Sequence, residues 1–153
     1  GNTVTSSGEV RNSHVRSARS YAYQSDSIDC SVQLQSSDYA RVMSIWSHGR
    51  LWSEVREAWE LIPFMPMQPD GKTPVSVKAA DGSALTAAGT TTPSVRIDRG
   101  GFGVEIKFDQ PRLVKLGAAD SVMIQVVAPV PAGGTPVPAD KVALKYKLVP
   151  FGN

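Results

Sequence analysis

Apolar and polar residues alternate along five stretches of this chain, at residues 28–34, 75–79, 95–108, 121–128 and 142–149. A period of two sends successive side chains to opposite faces of an extended strand. In the first stretch Ile28, Cys30, Val32 and Leu34 share one face. In the last, Val142, Leu144, Tyr146 and Leu148 share a face, and Lys141, Lys145 and Lys147 take the other. Residues 121–128 are apolar on nearly both faces (Val122, Met123, Ile124, Val126, Val127), the pattern of a strand covered on two sides. Val95 to Asp109 reads as a hairpin or a bulged long strand. Arg99-Gly100-Gly101 is its turn or bulge, and Phe102, Val104, Ile106 and Phe108 share a face.

The punctuation between these stretches agrees with strands. Pro63, Pro66 and Pro69 hold residues 63–69 extended, because each removes a donor and restricts the residue before it. Asp70-Gly71 and Asp81-Gly82 are turn signals, residues 83–93 are small and loop-like, and residues 129–138 form a Pro/Gly loop. One segment breaks the pattern. Ser36, Ser37 and Asp38 offer N-caps, Tyr39, Val42, Met43 and Trp46 follow at helical spacing, and Gly49 can end the element. This predicts a short helix over 38–48. Residues 51–62 fit two readings. Trp52, Val55, Trp59 and Ile62 suit a helix, whereas Val55, Trp59 and Leu61 suit a strand face. The sum is an all-β chain, a sandwich or barrel, with one or two short helices.

Residues 1–27 are different in kind. They are rich in Ser, Asn and Thr and poor in large aliphatics, so they cannot build a core alone. The division predicted is a polar, weakly basic arm at 1–27 and a β domain at 28–153. The length of 153 residues suits one domain, and a hydrophobic fraction of 41% is ordinary for a folded chain. The net charge of +2 does not by itself argue for nucleic acid, so its distribution matters more. Between Val10 and Ser25 the formal charges are Arg11, Arg16 and Arg19, with His14 among them and Tyr21 and Tyr23 after them. Guanidiniums on a loose arm can neutralise phosphates without reading sequence, and tyrosines can stack on bases. Arg11, Arg16, Arg19, Tyr21 and Tyr23 are therefore candidate contacts to nucleic acid or to a neighbouring subunit.

Catalytic patterns are scarce. His14 and His48 have no partner at metal-ligand or triad spacing, and no P-loop, nucleophile elbow or HExxH occurs. Glu54, Glu57 and Glu60 could converge on one helix face, but Arg50 and Arg56 beside them favour a solvated charged surface. The single cysteine, Cys30, excludes an internal disulfide and lies in the apolar register of its strand. Trp46, Trp52 and Trp59 are candidate interface anchors, or a platform for stacking sugars. No apolar run approaches the ~18 residues that cross a bilayer. The expectation is a non-enzymatic protein without cofactor or metal.

The order of parts resembles the small single-jelly-roll coat proteins of icosahedral viruses, including those of satellite and other small plant RNA viruses. The residues that carry the resemblance are the arm at 1–27, the strand Ile28 to Leu34, the helix Asp38 to Trp46, the aromatic and proline-rich run Trp59 to Pro69, and the final strand Val142 to Val149. The resemblance implies a jelly-roll β-sandwich that self-assembles in many copies into a shell, located in the virion. The arm would contact neighbouring subunits or packaged nucleic acid. The alternative is a secreted, periplasmic or phage-tail β-sandwich that binds a carbohydrate or protein ligand.

Overall fold

The computed structural model describes residues 2–9, 15–36, 54–118 and 120–152. Eleven strands account for most of them: β1 (Thr3–Glu9), β2 (Val15–Tyr23), β3 (Ile28–Ser36), β4 (Glu54–Val55), β5 (Ala58–Pro63), β6 (Ser76–Ala79), β7 (Thr90–Asp98), β8 (Gly103–Gly117), β9 (Ser121–Val127), β10 (Val137–Pro138) and β11 (Ala143–Phe151). A single 3-10 turn at Ala139–Lys141 is the one helical element among the described residues. The chain is all-β, a curled antiparallel sheet. Its strand order is β1-β2-β3-β11-β8-β7-β6, with β9 branching from β8 and β5 from β9, while β4 and β10 form a separate short pair.

The branch explains the curl. β8 pairs with β11 through Gly103–Phe108 and with β9 through Val114–Gly117, and β7 runs along its other edge. Between the two halves lies Pro111, and the facing strand β7 shifts register between Thr92 and Ser94, around Pro93. Proline has no N–H to give to a ladder, so prolines in both strands interrupt the sheet at one level. The β-bulge bends the sheet there. Thr92 is buried at this bend. Its hydroxyl accepts from the Ala80 N–H (3.0 Å) and donates to the Ser94 carbonyl (2.9 Å), satisfying groups that the broken ladder leaves over.

Two wings result, one of β1-β2-β3-β11 and one of β9-β5, and they face each other. The core between them holds Cys30, Val32, Leu144 and Tyr146 from the first wing, Val122 and Ile124 from the second, and Val95, Ile106 and Val114 from the shared strands. Val95, Ile106, Val114, Val122, Ile124 and Leu144 are fully excluded from solvent. Each such side chain contributes about 1.5–3 kcal/mol on burial. A smaller cluster of Val15, Val55, Val127, Ala139 and Val142 closes one end.

The strands predicted from alternation are present with shifted ends. The hairpin around Arg99 to Phe102 is longer on both sides than expected and takes in Thr90 to Thr92, which read as loop. Residues 54–55 and 58–63 are strand, which settles the open reading of that segment where it is described. The helix expected over 38–48 lies outside the described residues.

The segment expected as a loose arm holds a β-hairpin. β1 pairs with β2 from Thr3↔Ala22 to Glu9↔Arg16, and β2 pairs with β3 along its whole length. Polarity misled the sequence reading. In β2 the positions facing the second wing are Val15, Ser17, Arg19 and Tyr21, so a charged residue stands where a strand pattern calls for an aliphatic.

Candidate functional site

Arg19 is in that position because β5 presents an acid to it. Ala58, Glu60 and Ile62 alternate inward along β5, and Glu60 is buried with its side chain 7% exposed. The two residues meet across the wings. Arg19 Nη2 donates to Glu60 Oε2 at 2.8 Å and Arg19 Nε to Glu60 Oε1 at 3.3 Å, a forked contact with both carboxylate oxygens engaged. Arg19 Nη1 donates to Ser17 Oγ at 3.0 Å. The hydrogen bond with Glu60 raises the Arg19 pKa above its ordinary value, against the opposing pull of burial.

This pair borders a cleft of about 650 Å³ between β2–β3 on one side and residues 54–60 on the other. Glu54, Arg56 and Glu57 line it as well. All three glutamates singled out from the sequence thus reach one cavity, from strands and a bend instead of a helix face. They are not equivalent. Glu60 is clamped by Arg19. Glu57 is exposed, and its Oε1 accepts the Trp59 Nε1–H at 2.6 Å. Lys115 Nζ lies 4.3 Å from the Trp59 ring centroid, so a cation takes one face of the ring. Trp59 acts here as a donor that orients Glu57. The cleft therefore combines the fixed Arg19–Glu60 pair, buried at its carboxylate, with the half-buried Glu54, the exposed Arg56 and Glu57, and apolar walls that include Val15, Val32, Leu34 and Val142.

The remaining candidate residues are dispersed. Arg16 is exposed and, three residues from Arg19, lies on the opposite face of β2. Tyr21 is half-buried against the core, opposite Cys30, and burial raises its pKa. Tyr23 is exposed at the strand end. Arg11, Trp46 and Trp52, with His14 and His48, lie outside the described residues. The residue that sequence reasoning undervalued is Glu60. Its signal was a carboxylate in the inward register of a short strand, between Ala58 and Ile62.

No protein-family model matches the chain, and no curated protein matches it. A solved structure to which the fold is similar is described as a "Putative aldose 1-epimerase" from Escherichia coli K12. The TM-score is 0.46 and the identity 9%, over 99% of this chain and 65% of that chain. This chain thus spans less than two thirds of that protein's length. The coat-protein resemblance is corrected: the structure met is described as a putative aldose 1-epimerase, not as a coat protein. Shell assembly, the icosahedral virion and the exclusion of an enzyme are withdrawn with it. The physical reason is the hairpin: a loose arm before the first strand was one of the parts that carried the resemblance, and Thr3–Glu9 and Val15–Tyr23 are strands of the sheet. The activity named for the epimerase belongs to that protein and is not transferred at this degree of likeness.

Proposed function

We propose that this chain is a binding module for a small polyhydroxylated ligand, a carbohydrate, held in the cleft between β2–β3 and residues 54–60. The two facing wings are read as the leaves of a β-sandwich whose open end forms the site. The observation that supports this is the Arg19–Glu60 pair beside Glu54, Arg56 and Glu57 in one cavity of about 650 Å³. That volume falls in the usual range for small-molecule sites. Hydroxyl groups both donate and accept, so they match the carboxylates and guanidiniums of the lining, while the C–H faces of a sugar suit the valines among them. A wholly apolar ligand would take water from Glu54, Arg56 and Glu57 without replacing it, which is costly.

The test is a titration of the whole chain with a panel of mono- and disaccharides, followed by amide chemical shifts. The expected result is saturable shifts at residues 17–19 and 54–60, and a loss of about tenfold in affinity for Glu57→Gln, the scale of one charge-assisted hydrogen bond. Sugars that move no resonance in these segments, or an unchanged affinity in Glu57→Gln, would overturn the reading.

A further inference from the structure

The curled sheet has a second open end, and fewer charged residues line it than line the first. The β2–β3 turn (Gln24 to Ser27), the end of β5 with Phe64 and Met65, and the β7–β8 turn enclose a cavity of about 710 Å³. Its walls are apolar: Ile28, Ile62, Phe64, Phe102, Val104 and Leu148. Met65, 66% exposed, and Phe102, 37% exposed, line it as well. Two charged residues line this cavity, Arg99 and Asp26. Asp26 Oδ1 accepts from Ser27 Oγ at 3.1 Å and is exposed. Arg99 is half-buried and, among the described residues, makes no ion pair. Its Nε is buried without a hydrogen-bond partner, as is that of Arg112, which lies outside this cavity. The Arg99 guanidinium carbon lies 5.8 Å from the Phe102 ring centroid.

The Arg99 guanidinium borders an apolar cavity with no carboxylate paired to it, and a cation in such a setting favours an anionic partner. Arginine is the side chain best shaped to hold a carboxylate in a fork. We infer that this second mouth binds a small carboxylate with an apolar body, such as a medium-chain fatty acid. The carboxylate would sit on Arg99 and the hydrocarbon among Ile62, Phe64, Phe102 and Leu148. A neutral apolar molecule would fill the walls but leave Arg99 as it is. A polar anion such as phosphate would satisfy Arg99 but leave the apolar walls wet. The combination selects an amphipathic acid. This inference is independent of the cleft at the other end, because the two sites share no lining residue.

Calorimetry of the intact chain with decanoate, decan-1-ol and inorganic phosphate tests it. Decanoate is expected to bind at least tenfold tighter than decan-1-ol, the scale of a charge-assisted contact. Arg99→Gln removes that preference and leaves decan-1-ol unchanged, Arg99→Lys restores part of it, and Phe64→Ala weakens both. Urea midpoints identify any variant that has lost its fold, and the wild-type preference between the two ligands stands without variants. Equal affinity for decanoate and decan-1-ol, binding of phosphate as tight as decanoate, no binding of decanoate, or an Arg99→Gln chain that keeps the preference would each overturn the assignment.

Discussion

Removing Arg19 and removing Glu60 are not equivalent perturbations, and the difference measures how the two wings are held. Arg19→Met leaves the Glu60 carboxylate, 7% exposed, without the partner that engages both its oxygens. Breaking a fully buried pair from one side costs about 3–5 kcal/mol. The Arg19 side chain is 34% exposed and borders an open cleft, so screening by water lowers this to about 2–3 kcal/mol. Glu60→Gln leaves a guanidinium that keeps Ser17 Oγ, reaches solvent and can still donate to the amide oxygen. Its cost is about 1 kcal/mol. The double variant Arg19→Met with Glu60→Leu removes the stranded charge and costs less than Arg19→Met alone. Urea unfolding gives all three values, provided the m-value is constant across the set. A Glu60→Gln loss as large as that of Arg19→Met, or a double variant that costs as much as Arg19→Met alone, would refute the account.

Thr92→Val keeps the shape of the bend but strips the hydroxyl from the Ala80 N–H and the Ser94 carbonyl. It should lower the unfolding free energy by about 1–3 kcal/mol in urea, and a neutral result would mean that water or a backbone shift takes over both groups. Burial raises the Cys30 thiol from 9.0 to about 11. The folded state then holds a proton that the unfolded chain releases, so this contribution is complete below pH 9 and is lost as the pH rises from 9 to 11. Its size is on the order of 1–3 kcal/mol. The urea midpoint should fall over that interval, more steeply in the wild type than in Cys30→Ala; parallel curves would remove Cys30 as the source. Burial also raises the Tyr146 pKa, and that group remains in both proteins.

The strands β3, β6, β9 and β11 were legible because their apolar residues face one shared core, and a period of two is the direct imprint of that burial. The hairpin β1–β2 was not legible. Asn2 to Gly8 are exposed throughout, so no apolar face marks β1, and in β2 Arg19 replaces an aliphatic because Glu60 completes it from a strand forty-one residues further on. Pairing at that distance shows locally only as a charged residue in an inward register, and neither segment names its partner. The same applies to the cleft. Glu54, Glu57 and Glu60 were visible as a charged group, but whether they meet Arg19 depends on how β5 is carried over the first wing by β8 and β9. The second mouth depends on three turns that are far apart in sequence, and Arg99 looked like a turn residue beside two glycines.

The place of β11 has a consequence for the order of assembly. Two runs of neighbouring strands, β1-β2-β3 and β6-β7-β8-β9, can zip locally as the chain emerges. Neither run is joined to the other until β11 enters between β3 and β8, bringing Tyr146 beside both Cys30 and Phe108. The last described strand is thus the central one in space. Until residues 143–151 arrive, β3 and β8 present bare edges to any other strand in reach, which is the state of this chain most open to mispairing.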